Sequence, residues 1–222
     1  MTSVTLLIIE LVICLILSLI LYKKYQINGL YIYSIIALFL SCIMSLKTIT
    51  IYNYDTNLGI IPFVTIFTVT NIIIQKKGQD EVKNLILTLL FTIVVSYIII
   101  YLISIMDASI INEYTSVSFD NILEESPRLI FANIVTILYS LILNSKLYYY
   151  LKKMKNNILI SNLFSTIIIQ FISSILFGLV AYIFAKDMID IIKIIMIRYL
   201  MSLIIGLFGT IIVYISKYIK EK

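Results

Sequence analysis

The sequence predicts an all-α integral membrane protein, a bundle of seven transmembrane helices, and three observations carry that prediction. Hydrophobic residues make up 61% of the 222 residues and the mean hydropathy is +1.07, whereas an ordinary globular domain is about half apolar. Charged residues are only 13% of the chain, against about a quarter in soluble domains, and they fall between the apolar runs. Seven of those runs approach the roughly 20 apolar residues that a helix needs to cross a hydrocarbon core of about 30 Å. They lie near 3–22, 30–46, 58–75, 84–106, 127–147, 158–185 and 191–216, so that residues 1–222 read as a single polytopic membrane domain.

The first run opens MTSVTLL without a basic start and continues into Tyr22, Lys23 and Lys24, which reads as a retained span rather than a cleaved signal. It carries one carboxylate, Glu10. The second run places Ser34, Ala37, Ser41 and Ser45 on one face, a small-residue stripe that lets helices approach closely. The third is the shortest and the most polar, with Thr65, Thr68, Asn71 and Gln75 at three- or four-residue intervals. The fourth aligns Thr88, Thr92 and Ser96. Between it and the fifth, residues 107–125 hold Asp107, Glu113, Asp120, Glu124 and Glu125 with no Lys or Arg, and are expected to form a long external loop.

Ser126-Pro127 is expected to open the fifth helix as N-cap and first-turn proline, with Arg128 at the external mouth. That span aligns Asn133, Thr136, Ser140 and Asn144, then closes in Tyr148, Tyr149 and Tyr150 beside Lys152 and Lys153. Aromatic and basic residues together can stack bases, but at the end of a span they form an interfacial belt, and no nucleic-acid partner is expected. The sixth run aligns Asn162, Thr166, Gln170 and Ser173. The seventh buries Arg198, which like Glu10 lies roughly 10–12 Å inside its span. An ion pair between the two, snorkelling to the interface, and a role of Glu10 in proton coupling are the readings open to them.

Seven alternating crossings divide the 17 Lys and Arg residues into twelve on one side and five on the other. Short basic loops favour the cytoplasm, so the N-terminus is expected outside and the C-terminus in the cytoplasm. Six spans is the alternative count, which reverses only the N-terminus. In this orientation the stripes of the third, fifth and sixth spans converge in the cytoplasmic half. Amides buried in hydrocarbon need partners, and those stripes serve either as glue between helices or as the lining of a solute cavity. With no His, two lone cysteines and no phosphate-binding or hydrolase motif, the chain offers no catalytic set, metal site or cofactor site, and is read as not an enzyme.

From about residue 29 to 214 the order of short motifs resembles the vitamin uptake transporter (VUT) family of queuosine-precursor transporters. The likeness rests on Gly29-Leu30-Tyr31, on Lys47-Thr48-Ile49 after the second span, on Gly59, and on Thr70-Asn71 through Gln75 to Gly78. It continues with Pro127-Arg128-Leu129, Ser140 to Asn144, Ser161-Asn162 with Ser165, Thr166 and Gln170, and Tyr199 with Thr210. At positions 71, 75, 144, 161, 173 and 202 the family's charged residues are replaced by Asn, Gln, Asn, Ser, Ser and Ser.

The resemblance implies import of a queuosine precursor (a 7-deazaguanine such as preQ0, preQ1 or queuine) or a related neutral or weakly basic heterocycle through a bacterial cytoplasmic membrane. Lys47, Asn71, Gln75, Ser140, Asn144, Asn162, Thr166, Gln170 and Ser173 are the implied substrate contacts, with Arg128 at the outer mouth. The implied partners are the small-molecule solute, the lipid bilayer and, as alternatives, an ATPase module of the energy-coupling-factor kind or a second copy. In the first of those alternatives the chain is the substrate-binding component. A membrane scaffold that does not transport is the competing class.

Overall fold

The computed structural model describes residues 3–51, 54–106, 113–155 and 157–219. Its elements are α1 (Ser3–Met44), a two-stranded antiparallel hairpin β1 (Thr48–Ile51) and β2 (Tyr54–Asn57), α2 (Ile60–Lys77), α3 (Gln79–Ser104), α4 (Glu113–Lys155), α5 (Ile158–Tyr182) and α6 (Met188–Ser216). All six helices are long and apolar enough to cross a membrane. The chain is thus a multi-pass helical protein, and the predicted spans fall on these helices in order.

The first two predicted spans are one helical segment broken at Gln26, whose φ of 55° and ψ of −135° leave the helical region. The chain folds back there. Gly29 meets the Leu21 carbonyl, although eight residues of straight helix would separate them by about 12 Å. Further along, Cys14 reaches the Tyr33 hydroxyl, so the half after Gln26 retraces the half before it. A side chain at position 29 would occupy the Leu21 carbonyl, which is why glycine stands there.

Two boundaries differ from the sequence reading. Residues 107–112 of the expected external loop lie outside the described residues, but residues 113–126 are helical, and α4 runs through Pro127. Proline inside a helix removes one i→i−4 hydrogen bond and crowds the preceding turn, yet the residues on both sides of Pro127 are helical. Here Pro127 marks the start of the apolar part of α4 instead of its first turn. The β-hairpin is the second difference, with Thr48 opposite Asn57 and Ile51 opposite Tyr54. Asn157 caps α5 as its side chain accepts from the Leu159 and Ile160 amides.

α2 is the central helix. Every residue from Ile60 to Ile74 is buried, whereas α3 turns Leu87, Phe91, Ile98 and Leu102 outward. The least apolar span is therefore the most enclosed, as expected where lipid surrounds the bundle: Leu and Ile are solvated by lipid without cost, whereas Thr, Asn and Ser find partners only among other helices. One end of the bundle gathers basic groups. There Lys76 Nζ donates to the Ile219 carbonyl at 2.9 Å and stands over the Tyr22 ring, while Lys152 Nζ donates to the Gln75 carbonyl at 3.2 Å. The β-hairpin, Arg128 and the start of α6 lie at the opposite end.

Candidate functional site

Two polar constellations are built on α2 and its neighbours. The first is a chain of side-chain hydrogen bonds across four helices. Asn144 Nδ2 (α4) donates to Asn71 Oδ1 (α2) at 2.8 Å, and Asn71 Nδ2 donates to Asn162 Oδ1 (α5) at 2.7 Å. Asn162 Nδ2 then donates to Thr210 Oγ1 (α6) at 2.6 Å, and that hydroxyl donates to the Gly206 carbonyl at 3.0 Å. All four residues are buried. The helical stripes read from the sequence thus meet, and their amides bond to one another.

The other predicted contacts fall around this chain without joining it. Gln75 lies one turn nearer the basic end with its Oε1 buried and unpartnered. Gln170 and Ser173 form a local pair on α5, the serine donating to Gln170 Oε1 at 3.2 Å. Thr166 packs against α6 at Gly206, and the Ser140 hydroxyl is buried without a hydrogen-bond partner. Lys47 is exposed beside the hairpin. Asn133 Nδ2 donates to Ser45 Oγ at 2.8 Å, joining α4 to the small-residue stripe of α1.

The second constellation is a cavity of about 220 Å³ at the hairpin end, lined by residues including Thr48, Asp55, Asn57, Phe177, Tyr182, Lys186 and Arg198. Arg198 is its buried member, at 5% exposure. Its guanidinium lies 3.7 Å from the Phe177 ring centroid and 4.9 Å from that of Phe63, and Nη1 donates to Asn57 Oδ1 at 3.3 Å. The Nη2 group has no hydrogen-bond partner. Tyr182 stands between two further cations, Arg128 at 5.8 Å and Lys186 at 5.7 Å from its ring.

Of the readings open to Glu10 and Arg198, the ion pair between them is not found. Arg198 is held by an amide and two aromatic faces, while Glu10 lies beside Cys14 and Tyr33 with Oε1 buried and unpartnered. Equal depth on two spans does not bring side chains together unless the helix faces also meet. Tyr182, Lys186, Phe177 and Asn57 were missed in the sequence because none of them belongs to a polar stripe at helical spacing. The available signal was Arg198 itself, since a buried guanidinium needs acceptors at its own depth. Among the described residues no three Cys, Asp or Glu side chains gather as a metal-ligand set.

A bundle of six helices of membrane-crossing length, with its polar groups turned inward, defines a multi-pass membrane protein. The family model described as "Putative vitamin uptake transporter" matches residues 57–216, and the chain belongs to that family. No curated protein and no solved structure matches the chain.

Proposed function

We propose that the chain imports a queuosine precursor, or a related small heterocycle, across a bacterial cytoplasmic membrane. The observation that carries the reading is the cavity holding Arg198, in a chain of the vitamin uptake transporter family: a buried cation with an unused donor beside aromatic walls is a place for a polar ring. The folding back of α1 at Gln26 supports seven crossings. With the twelve-to-five division of Lys and Arg, it supports an external N-terminus and a cytoplasmic C-terminus. The cavity is then the outer site, with Lys47 and Arg128 at its mouth. Asn71, Gln75, Ser140, Asn144, Asn162, Thr166, Gln170 and Ser173 serve the inner half, where amides exchange bonds with one another for bonds to the passing solute.

The test is uptake of a labelled deazaguanine by the purified chain in liposomes. Uptake by the chain alone supports a self-sufficient carrier. Uptake only with co-purified ATPase subunits makes it a substrate-binding component of an energy-coupling-factor complex. A second reading, in which the amides are packing only, is favoured by their mutual satisfaction across α2, α4, α5 and α6. Replacing Asn71 and Gln75 together by Leu separates the two: a carrier loses uptake while remaining folded in the membrane, and a scaffold keeps its phenotype.

A further inference from the structure

We infer that the cavity at the hairpin end is a selective capture site for a small ring compound bearing a carbonyl or carboxylate acceptor and no positive charge. The inference rests on the import reading above and narrows its solute. Arg198 cannot be deprotonated in a protein, and its guanidinium lies against the Phe177 and Phe63 rings, which carry no nitrogen or oxygen acceptor for it. Nη1 donates to Asn57, and Nη2, buried and unpartnered, leaves its N–H donors to be satisfied. A buried donor of that kind calls for an acceptor from outside the chain, and a charged donor forms the stronger class of hydrogen bond.

The charges around the cavity give the sign of the solute. Lys186 and Arg198 line it and Arg128 stands over the ring of Tyr182, itself a lining residue, so three cations lie in or next to the site. Among the described residues Asp55 is the single carboxylate of the lining, exposed on β2, and it already accepts from Thr50 Oγ1 at 2.7 Å. An aminomethyl substituent would bring a fourth positive charge into this setting. A nitrile or carboxylate would not. Of the remaining wall, Thr48, Thr56 and Asn57 are polar, while Leu46, Leu129, Phe177, Tyr182 and Ile194 are apolar or aromatic and suit the faces of a flat ring.

The experiment is calorimetric binding to the purified full chain in detergent with two matched pairs. One pair is the cyano and aminomethyl forms of deazaguanine, and the other is nicotinate and 3-aminomethylpyridine. The expected result is that the uncharged or anionic member of a pair binds about tenfold or more tightly than its cationic partner, and that Arg198→Gln removes the preference. Arg198→Lys, which keeps the charge without the fork, should restore only part of it. Thermal unfolding of each variant confirms that it is folded, and Asn57→Ala, which leaves Arg198 in place, gives a second route if Arg198→Gln does not fold. Preference within the pyridine pair alone would overturn the deazaguanine assignment and leave the capture site standing. Equal or tighter binding of the cationic members, retention of the preference without Arg198, or no binding of any of the four compounds to folded protein would overturn the capture site.

Discussion

Replacing Asn71 by Leu removes the middle link of the four-helix amide chain at nearly constant volume. Two hydrogen bonds disappear, from Asn144 Nδ2 and to Asn162 Oδ1. At the membrane-protein average of about 0.6 kcal/mol each, their loss alone would cost about 1 kcal/mol. The variant also strands two polar atoms in a buried layer, and an unsatisfied buried group costs about 1–3 kcal/mol. Two stranded groups at that cost, which already contains the lost bonds, give an expected destabilisation of about 2–6 kcal/mol. The triple variant Asn71→Leu, Asn144→Leu, Asn162→Leu strands only Thr210, whose hydroxyl keeps its bond to the Gly206 carbonyl, so the triple change is expected to cost less than the single one. Reversible unfolding in mixed micelles, followed by circular dichroism, measures both. A single variant costing under about 0.5 kcal/mol, or a triple costing the sum of three singles, would refute the reasoning, because either would mean the amides are independent of one another.

Four further outcomes follow from the geometry. Gln26 holds a positive φ that L-residues disfavour, and its Oε1 has no partner, so Gln26→Gly should raise stability by about 1 kcal/mol in thermal unfolding. Gly29→Ala drives a methyl into the Leu21 carbonyl and should lower stability by about 1–3 kcal/mol; an unchanged Tm would mean the halves of α1 do not pack as described. In a chain with Cys14 and Cys42 replaced by Ser, a cysteine at Thr50 should react with a membrane-impermeant thiol reagent on intact cells while one at Lys153 should react only after lysis. The reverse pattern would invert the proposed orientation. Glu10→Gln should abolish any pH dependence of uptake if the carboxylate carries a coupling proton, and an unchanged pH profile removes Glu10 from that role.

How far the sequence could be read depends on which physical rule dominates each element. Lipid imposes length and apolarity on every span, so the helical, multi-pass character was legible, and three-residue and four-residue spacing was enough to put Asn71, Asn144 and Asn162 on inward faces. That the amides would satisfy one another was not legible, because spacing along one helix says nothing of the rotation of its neighbours. The reversal between the first two spans was placed by the basic Lys23 and Lys24, while its strained residue is Gln26 and its close contact is Gly29. The strands β1 and β2 are four residues each, too short for a period of two to stand out from the surrounding apolar runs. Pro127 misled because a proline opening an apolar run looks the same whether or not the preceding polar residues are helical.

The two polar constellations share their scaffolding. Phe63, beneath Arg198, and Asn71, in the amide chain, are eight residues apart on α2, or about 12 Å along one helix. Arg198 and Thr210 stand in the same relation on α6, twelve residues or about 18 Å apart. Gly206 and Gly209 let α6 lie against Thr166 of α5 and Thr68 of α2, so α6 has little room to move without both neighbours. A displacement of α2 or α6 large enough to separate Asn71 from Asn162, or Asn162 from Thr210, also shifts Phe63 or Arg198 at the other end. A solute that fills the cavity and fixes Arg198 therefore acts on the same two helices that hold the amide chain closed. In a packed bundle with discrete arrangements, that is the physical requirement for occupancy at one end to bias the other.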